Sequence, residues 1–264
     1  MDIVCASICY RGYADDEVAA TLELAPAAGY RLMEIHGPMT SSLEAVEAFD
    51  LAGVREAIAR SGMRCVGLYS PGWGGADEDE VRERARAIAR CAAIVEQLGG
   101  DHVTSTGACS RGTPGGLESV TKCARLVLSQ LPASSPVRLC LEPHFGNVLQ
   151  NREDFETVLS AIPDPRLGLC VDTGHFHSAG VDTVAFIRDL APRIYNVHLK
   201  DHVGAVSVGI GRGEVDLPAI VAALRGVGYA GALTVELEVE DPENLPRYAH
   251  EAYVYLSGLL GQKL

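Results

Sequence analysis

Excess basic charge, long apolar runs and paired cysteines are all missing from this sequence, and each gap removes a class of function. Lys and Arg total 22 against 35 Asp and Glu, a formal charge of −13. So negative a surface repels phosphate backbones and anionic bilayers, which argues against nucleic acid and membrane partners. No run of about 18 apolar residues exists, so no segment is expected to span a bilayer. The opening residues, Met-Asp-Ile-Val-Cys, lack a basic segment followed by an apolar one, and a cytoplasmic location is expected. The eight cysteines form no C-x-x-C pair, which disfavours zinc ribbons and thioredoxin-type sites. Several, such as Cys140 and Cys170, sit in apolar runs and read as small buried hydrophobes. No G-x-G-x-x-G turn follows the first strand candidate, and the glycines around 209–213 lack the G-K-[ST] ending of a phosphate loop, so they read as a flexible loop.

What the sequence does have is regular alternation over 264 residues. Strand candidates fall at about 2–9, 31–36, 63–69, 101–106, 137–143, 167–172, 193–199 and 231–237. Helix candidates fill the gaps at about 15–28, 42–61, 78–98, 115–131, 152–161, 181–190, 216–227 and 243–260. Strands alternating with helices imply parallel pairing through helical crossovers. Eight such units predict an α/β fold, a single (β/α)8 TIM barrel over residues 1–264, with a doubly wound open sheet as the runner-up. The longest irregular stretches, about 70–77, 106–114 and 200–215, each follow a strand, where a barrel carries its catalytic loops.

The last four strand candidates each end on a polar residue: Leu-Cys-Leu-Glu142, Leu-Cys-Val-Asp172, Tyr-Asn-Val-His198 and Leu-Thr-Val-Glu236. Side chains along a strand alternate between faces. Leu139, Leu141, Leu169, Val171, Val197, Leu199, Val235 and Leu237 share the parity that packs under the helices; Glu142, Asp172, His198 and Glu236 fall on the other, toward the barrel axis. Three carboxylates converging without a cation would repel and take up protons. Oxygen-rich ligands with one imidazole suit Mn²⁺, Mg²⁺ or Co²⁺, and four protein ligands leave about two octahedral positions for substrate oxygens.

These motifs, with Val-Asp172-Thr-Gly-His175, Val-His198-Leu-Lys200-Asp201, Gly-x-Gly-x-Val-Asp216 and Val-Glu236-Leu-Glu238, resemble the xylose isomerase-like TIM-barrel superfamily. Within it the sequence is similar to the sugar phosphate isomerase/epimerase branch, with ketose 3-epimerase, hydroxypyruvate isomerase and inosose dehydratase members. The likeness is clearest over about 137–240. It implies an enzyme of carbohydrate metabolism with one divalent ion, Mn²⁺ foremost, on Glu142, Asp172, His198 and Glu236, and a small polyhydroxy carbonyl substrate. It implies that Glu142 and Glu236 also exchange the substrate proton, and that His175 contacts substrate. Family members often self-associate, but no feature of this sequence decides that. Epimerase members carry an arginine six residues beyond the histidine ligand; here that residue is Gly204, and Arg212 lies further on. The His-Leu-Lys-Asp text is more like the dehydratase-type members. The implied activity is therefore isomerisation or epimerisation through a proton next to a carbonyl. Dehydration or lysis of an inosose-like or glycoside-ketone substrate, or a non-catalytic barrel subunit, stand as alternatives. The superfamily's endonuclease IV-type nucleases need more histidines and a basic face, against the −13 charge.

Other residues read as candidates on position alone. Lys200 shares the parity of His198 and is a candidate substrate contact. His36 and Glu34 end the second strand and are candidates for the pocket wall or its rim. Tyr69 and Trp73, at the end of the third strand, are candidates for an apolar wall against a sugar. Ser105 and Thr106 offer hydroxyls, and His144 and His177 flank the motif residues.

Overall fold

The computed structural model describes residues 1–262. Eight parallel strands close into a barrel: β1 Asp2–Ala6, β2 Leu32–Ile35, β3 Arg64–Tyr69, β4 His102–Ser105, β5 Arg138–Leu141, β6 Leu167–Asp172, β7 Ile194–Leu199 and β10 Ala232–Val235. β10 pairs with both β7 and β1, which closes the ring and removes the sheet edges. The intervening hairpin, β8 Asp201–Val203 with β9 Val206–Val208, stands outside the ring.

The helices follow from local sequence. Asp16, Asp77, Asp182 and Asp216 each accept a first-turn N–H, capping α1 Glu17–Ala28, α4 Glu78–Leu98, α8 Thr183–Leu190 and α9 Leu217–Gly226. α5 Gly116–Gln130, α6 Arg152–Ala161 and α10 Leu245–Leu260 complete the outer layer. The helix expected over 42–61 is two helices, α2 Leu43–Glu47 and α3 Leu51–Ser61. Asp50 turns its side chain to the Gly53 N–H and starts the second one afresh. The first strand stops at Ala6, and Ser7–Tyr10 forms a 3-10 turn instead of continuing extended. Ser7 Oγ there accepts from His36 N at 2.8 Å and donates to His36 O at 3.0 Å, tying the ends of β1 and β2 together. A short helix missing from the sequence reading, α7 Thr173–Ala179, begins on Asp172.

The apolar parity set of the last four strands, Leu139 through Leu237, is buried in one core with the helices. The opposite parity fills the barrel axis with polar side chains: Glu34, His102, Thr104, Asn196, His198 and Thr234 are all buried. Gly67 makes room for one of them, since a Cβ there would lie 2.1 Å from His102 Nε2. The barrel thus has a dry apolar sleeve and a hydrogen-bonded polar axis, and the axis leads up to the candidate site.

Candidate metal centre

His198 projects from β7 at the centre of the site. Its Nδ1 touches Glu142 Oε1 in a short contact and lies 3.2 Å from Glu236 Oε1. Asp172 ends β6, and its Oδ1 accepts the His175 N–H at 2.8 Å, which fixes the carboxylate as the cap of α7. One donor atom from each of Glu142, Asp172, His198 and Glu236 lies within 4.8 Å of the others, and all four residues are buried. Asp172 Oδ2 is buried and has no hydrogen-bond partner among the described residues; its nearest cation is the Lys200 ammonium at 3.4 Å. An acceptor left bare beside two more carboxylates is what a bound cation would satisfy, so this donor set fits a divalent ion.

Each glutamate has its second oxygen occupied. Tyr69 donates its hydroxyl to Glu142 Oε2 at 2.5 Å. Lys200 Nζ lies 2.7 Å from Glu236 Oε2 and 2.7 Å from Glu238 Oε2. Burial pushes the carboxyls up, and the neighbours decide the outcome. For Asp172, Lys200 and His175 outweigh burial and hold the carboxyl down to about 2. For Glu142, burial is outweighed by His198, so the group ionises more readily than usual. For Glu236 burial wins over His198, Lys200 and His36, and its pKa rises. His198, desolvated but facing Glu236, Glu34 and Glu142, is pushed well up; in the metal-free protein its proton partly stands in for a cation.

A cavity of about 700 Å³ opens above these groups, at the C-terminal ends of the strands. His36, His175, Lys200, Glu142 and Glu236 line it, as do Tyr69, His144, Ser105 and Thr106. The His36 ring stacks on Tyr69 at 4.7 Å and turns Nδ1 to Glu236 Oε1 at 3.4 Å. His175 lies ring to ring with His144 at 3.8 Å; burial pushes its pKa down to about 4, leaving a neutral ring at the wall.

Trp73 is not at the wall. It is fully buried in the apolar core, because its backbone pairs with the 106–108 segment (Trp73 N to Thr106 O, Ala108 N to Trp73 O) and turns the indole inward. His177 faces Glu214 at 3.4 Å, outside the cavity lining. Arg212 pairs with Glu251 of α10 and covers the Tyr248 ring, so it does not replace the arginine absent at Gly204, which forms the hairpin turn. The glycine-rich segment near 209–213 is tied down: Asp201 accepts from the Gly211, Gly213 and Val215 N–H groups. Glu238 was not singled out from sequence, although it shares the parity of Glu236, and that alternation was the signal for it.

The sequence profile described as "Xylose isomerase-like TIM barrel" matches residues 22–256. The chain belongs to this family. Among curated relatives, the rhizopine catabolism protein MocC of Rhizobium meliloti is 31% identical over 160 residues, 52% of this chain and 49% of that protein. An inosose dehydratase of Geobacillus thermodenitrificans is 28% identical over 155 residues, 51% and 52% of the two chains. The matched stretch thus spans about half the length of these relatives. Among solved structures, the 3-keto-D-glucoside 4-epimerase YcjR of E. coli superposes with a TM-score of 0.80 at 18% identity, over 98% of this chain and 99% of that one. The IOLI protein with a binding zinc atom superposes at 0.78 and 16% identity, over 99% and 98%. At such identities these structures speak for the shared fold.

Proposed function

We propose that this chain is a divalent-metal-dependent enzyme of the isomerase and epimerase kind. It works as one barrel domain on a small polyhydroxy ketone and removes a proton next to the carbonyl. The observation that carries the reading is the set of four buried donors within 4.8 Å, two carboxylate oxygens of which, Asp172 Oδ2 and Glu236 Oε2, have no hydrogen-bond partner among the described residues and face only the Lys200 ammonium. Mn²⁺ suits the oxygen-rich set, with Mg²⁺, Co²⁺ and zinc as the ions to compare. An ion on Glu142, Asp172, His198 and Glu236 would polarise the substrate carbonyl and acidify the adjacent C–H. Glu142 and Glu236 follow barrel strands three positions apart, with the strands of Asp172 and His198 between them. In this reading one takes the proton from carbon and the other returns it. His36, His175 and Lys200 hold the substrate's oxygens from the cavity wall.

Lys200 favours a second reading, elimination of water. Its ammonium lies 2.7 Å from the proposed acid-base residue Glu236 and borders the cavity. A glutamate would break the C–H bond next to the ketone, the C–O bond to the β-hydroxyl would break, and Lys200 would supply the proton with which that hydroxyl leaves as water. The product is an α,β-unsaturated ketone, and the protonated glutamate passes its proton back to Lys200. The relatives named inosose dehydratase support this outcome.

One experiment tests both. The Mn²⁺-loaded protein is incubated in D₂O with a ketose and with an inosose, followed by NMR and ultraviolet absorbance. Deuterium at the carbon next to the carbonyl is expected; an enone band adds elimination. A metal-loaded protein that exchanges no proton in any ketone offered sinks the reading.

A further inference from the structure

We infer that Glu34, buried in the barrel axis beneath the site, is the positioning residue that turns His198 and His36 with Nδ1 toward the cavity. The inference rests on the metal reading above for its consequence, and on geometry for its content. Position in the sequence suggested the pocket wall or rim for Glu34; in the structure it is fully buried and does not line the cavity. Five side chains converge on its carboxylate. His198 Nε2 at 3.1 Å and His36 Nε2 at 3.2 Å meet Oε1; Asn196 Nδ2 at 2.9 Å, His102 Nε2 at 3.2 Å and Thr234 Oγ1 at 3.2 Å meet Oε2.

An ionised carboxylate only accepts hydrogen bonds, so each of the two rings meeting Oε1 must carry its proton on Nε2. In the neutral ring that an ion requires there is one N–H, so with Nε2 protonated it is Nδ1 that gives up its proton and offers the lone pair on the other side. For His198 that is the atom between Glu142 and Glu236. Asn196 Nδ2 also lies 3.0 Å from His198 Nε2, and a hydrogen bond donated there would drive the proton to Nδ1 and block a metal. Its two hydrogens have other acceptors, however: Glu34 Oε2 at 2.9 Å and Thr104 Oγ1 at 3.1 Å. Glu34 therefore settles the tautomer twice over, by accepting from His198 and by holding the Asn196 amide away from that role. Partners of this kind behind a ligand histidine typically change metal affinity by about 10- to 100-fold when removed.

The test compares wild-type protein with Glu34→Gln. Free Mn²⁺ is followed by EPR during titration of the metal-free protein, and the Nε2–H signals of His198 and His36 are observed by NMR in ¹⁵N-histidine-labelled protein. The expected result is a slowly exchanging Nε2–H on both rings of the wild type. In the variant, Mn²⁺ binding weakens about 10-fold or more and those signals are lost or moved. Glu34→Asp, which keeps the acceptor on a shorter stem, should recover part of the affinity. Wild-type rings without a bonded Nε2–H, read with no mutation at all, overturn the inference, as does a folded Glu34→Gln with unchanged affinity and signals. A wild type that binds no metal overturns the metal reading instead, and the NMR comparison still decides what Glu34 does.

Discussion

Glu236 divides its two oxygens between unlike partners: Oε1 lies 3.2 Å from His198 Nδ1, while Oε2 lies 2.7 Å from the Lys200 ammonium. One carboxylate is thus shared by the candidate metal centre and a buried lysine. Glu142 is divided in the same way, between His198 and the Tyr69 hydroxyl. The two glutamates differ in what backs them, a neutral phenol against a cation, and this asymmetry separates the proposed outcomes.

Lys200→Met removes the only lysine in the cavity lining among the described residues and leaves the four donors in place. If Lys200 protonates the leaving hydroxyl, enone formation should fall by about 10²- to 10⁴-fold, the usual scale for a lost general acid. Deuterium exchange next to the carbonyl should persist, because it uses the ion and the glutamates and no proton from Lys200. Parallel time courses of exchange and absorbance check this. Equal losses in both would assign Lys200 to holding Glu236 in position.

Glu142→Gln and Glu236→Gln each keep the shape of the side chain and remove its basicity. Exchange of the substrate proton with solvent deuterium should vanish in either variant, measured with Mn²⁺ raised until binding is restored. Full exchange in one of them would remove that glutamate from the proton step.

The fold was legible because strands and helices have distinct periods, and each strand candidate was a short run rich in β-branched, aromatic or Leu residues, the last four with a polar end. The same period-two rule put Glu142, Asp172, His198 and Glu236 on one face, and these four do converge. The rule had no purchase on β2, where Leu32, Met33, Glu34 and Ile35 are all buried and give no contrast between faces. The register with β3 also shifts between Met33 and Glu34, which no composition signals. Trp73 misled for a related reason: its loop makes backbone pairs with a distant segment, and such pairing decides which way a loop aromatic points. The segment around 209–213 looked flexible from its glycines, but Asp201 accepts from the Gly211, Gly213 and Val215 N–H groups.

Metal should raise stability by mass action, since a site assembled from four strands does not exist in the unfolded chain. At 100 times the dissociation constant the gain is about 2.7 kcal/mol. Thermal melting is expected to shift upward with Mn²⁺ and to return on adding a chelator, and Asp172→Asn should shrink the shift. An unchanged melting temperature at millimolar Mn²⁺, Mg²⁺, Co²⁺ and zinc would argue that no ion binds.

His102 gives a pH dependence of known sign. The ring is buried, which disfavours its charge. Even so, hydrogen bonds to Asp101 Oδ1 at 2.8 Å and Glu34 Oε2 at 3.2 Å push its pKa up to about 9 from an ordinary value of 6.5. A pKa raised in the folded state means that folding is favoured by the bound proton. The contribution is whole below about pH 6.5 and drains away as pH rises toward 9. A shift of that size corresponds to about 3 kcal/mol at most, at roughly 1.4 kcal/mol per unit. Denaturant unfolding of wild type and His102→Gln should be compared at pH 6, 7.5 and 9 in Mn²⁺-loaded protein. Loading matters because a bound ion displaces the proton on His198, whose pKa is also raised and whose titration would otherwise overlap. The wild type should lose its advantage over the variant across this window. A gap that stays constant from pH 6 to 9 would mean that the ring is neutral in the folded protein and that Glu34 draws its compensation from its other donors.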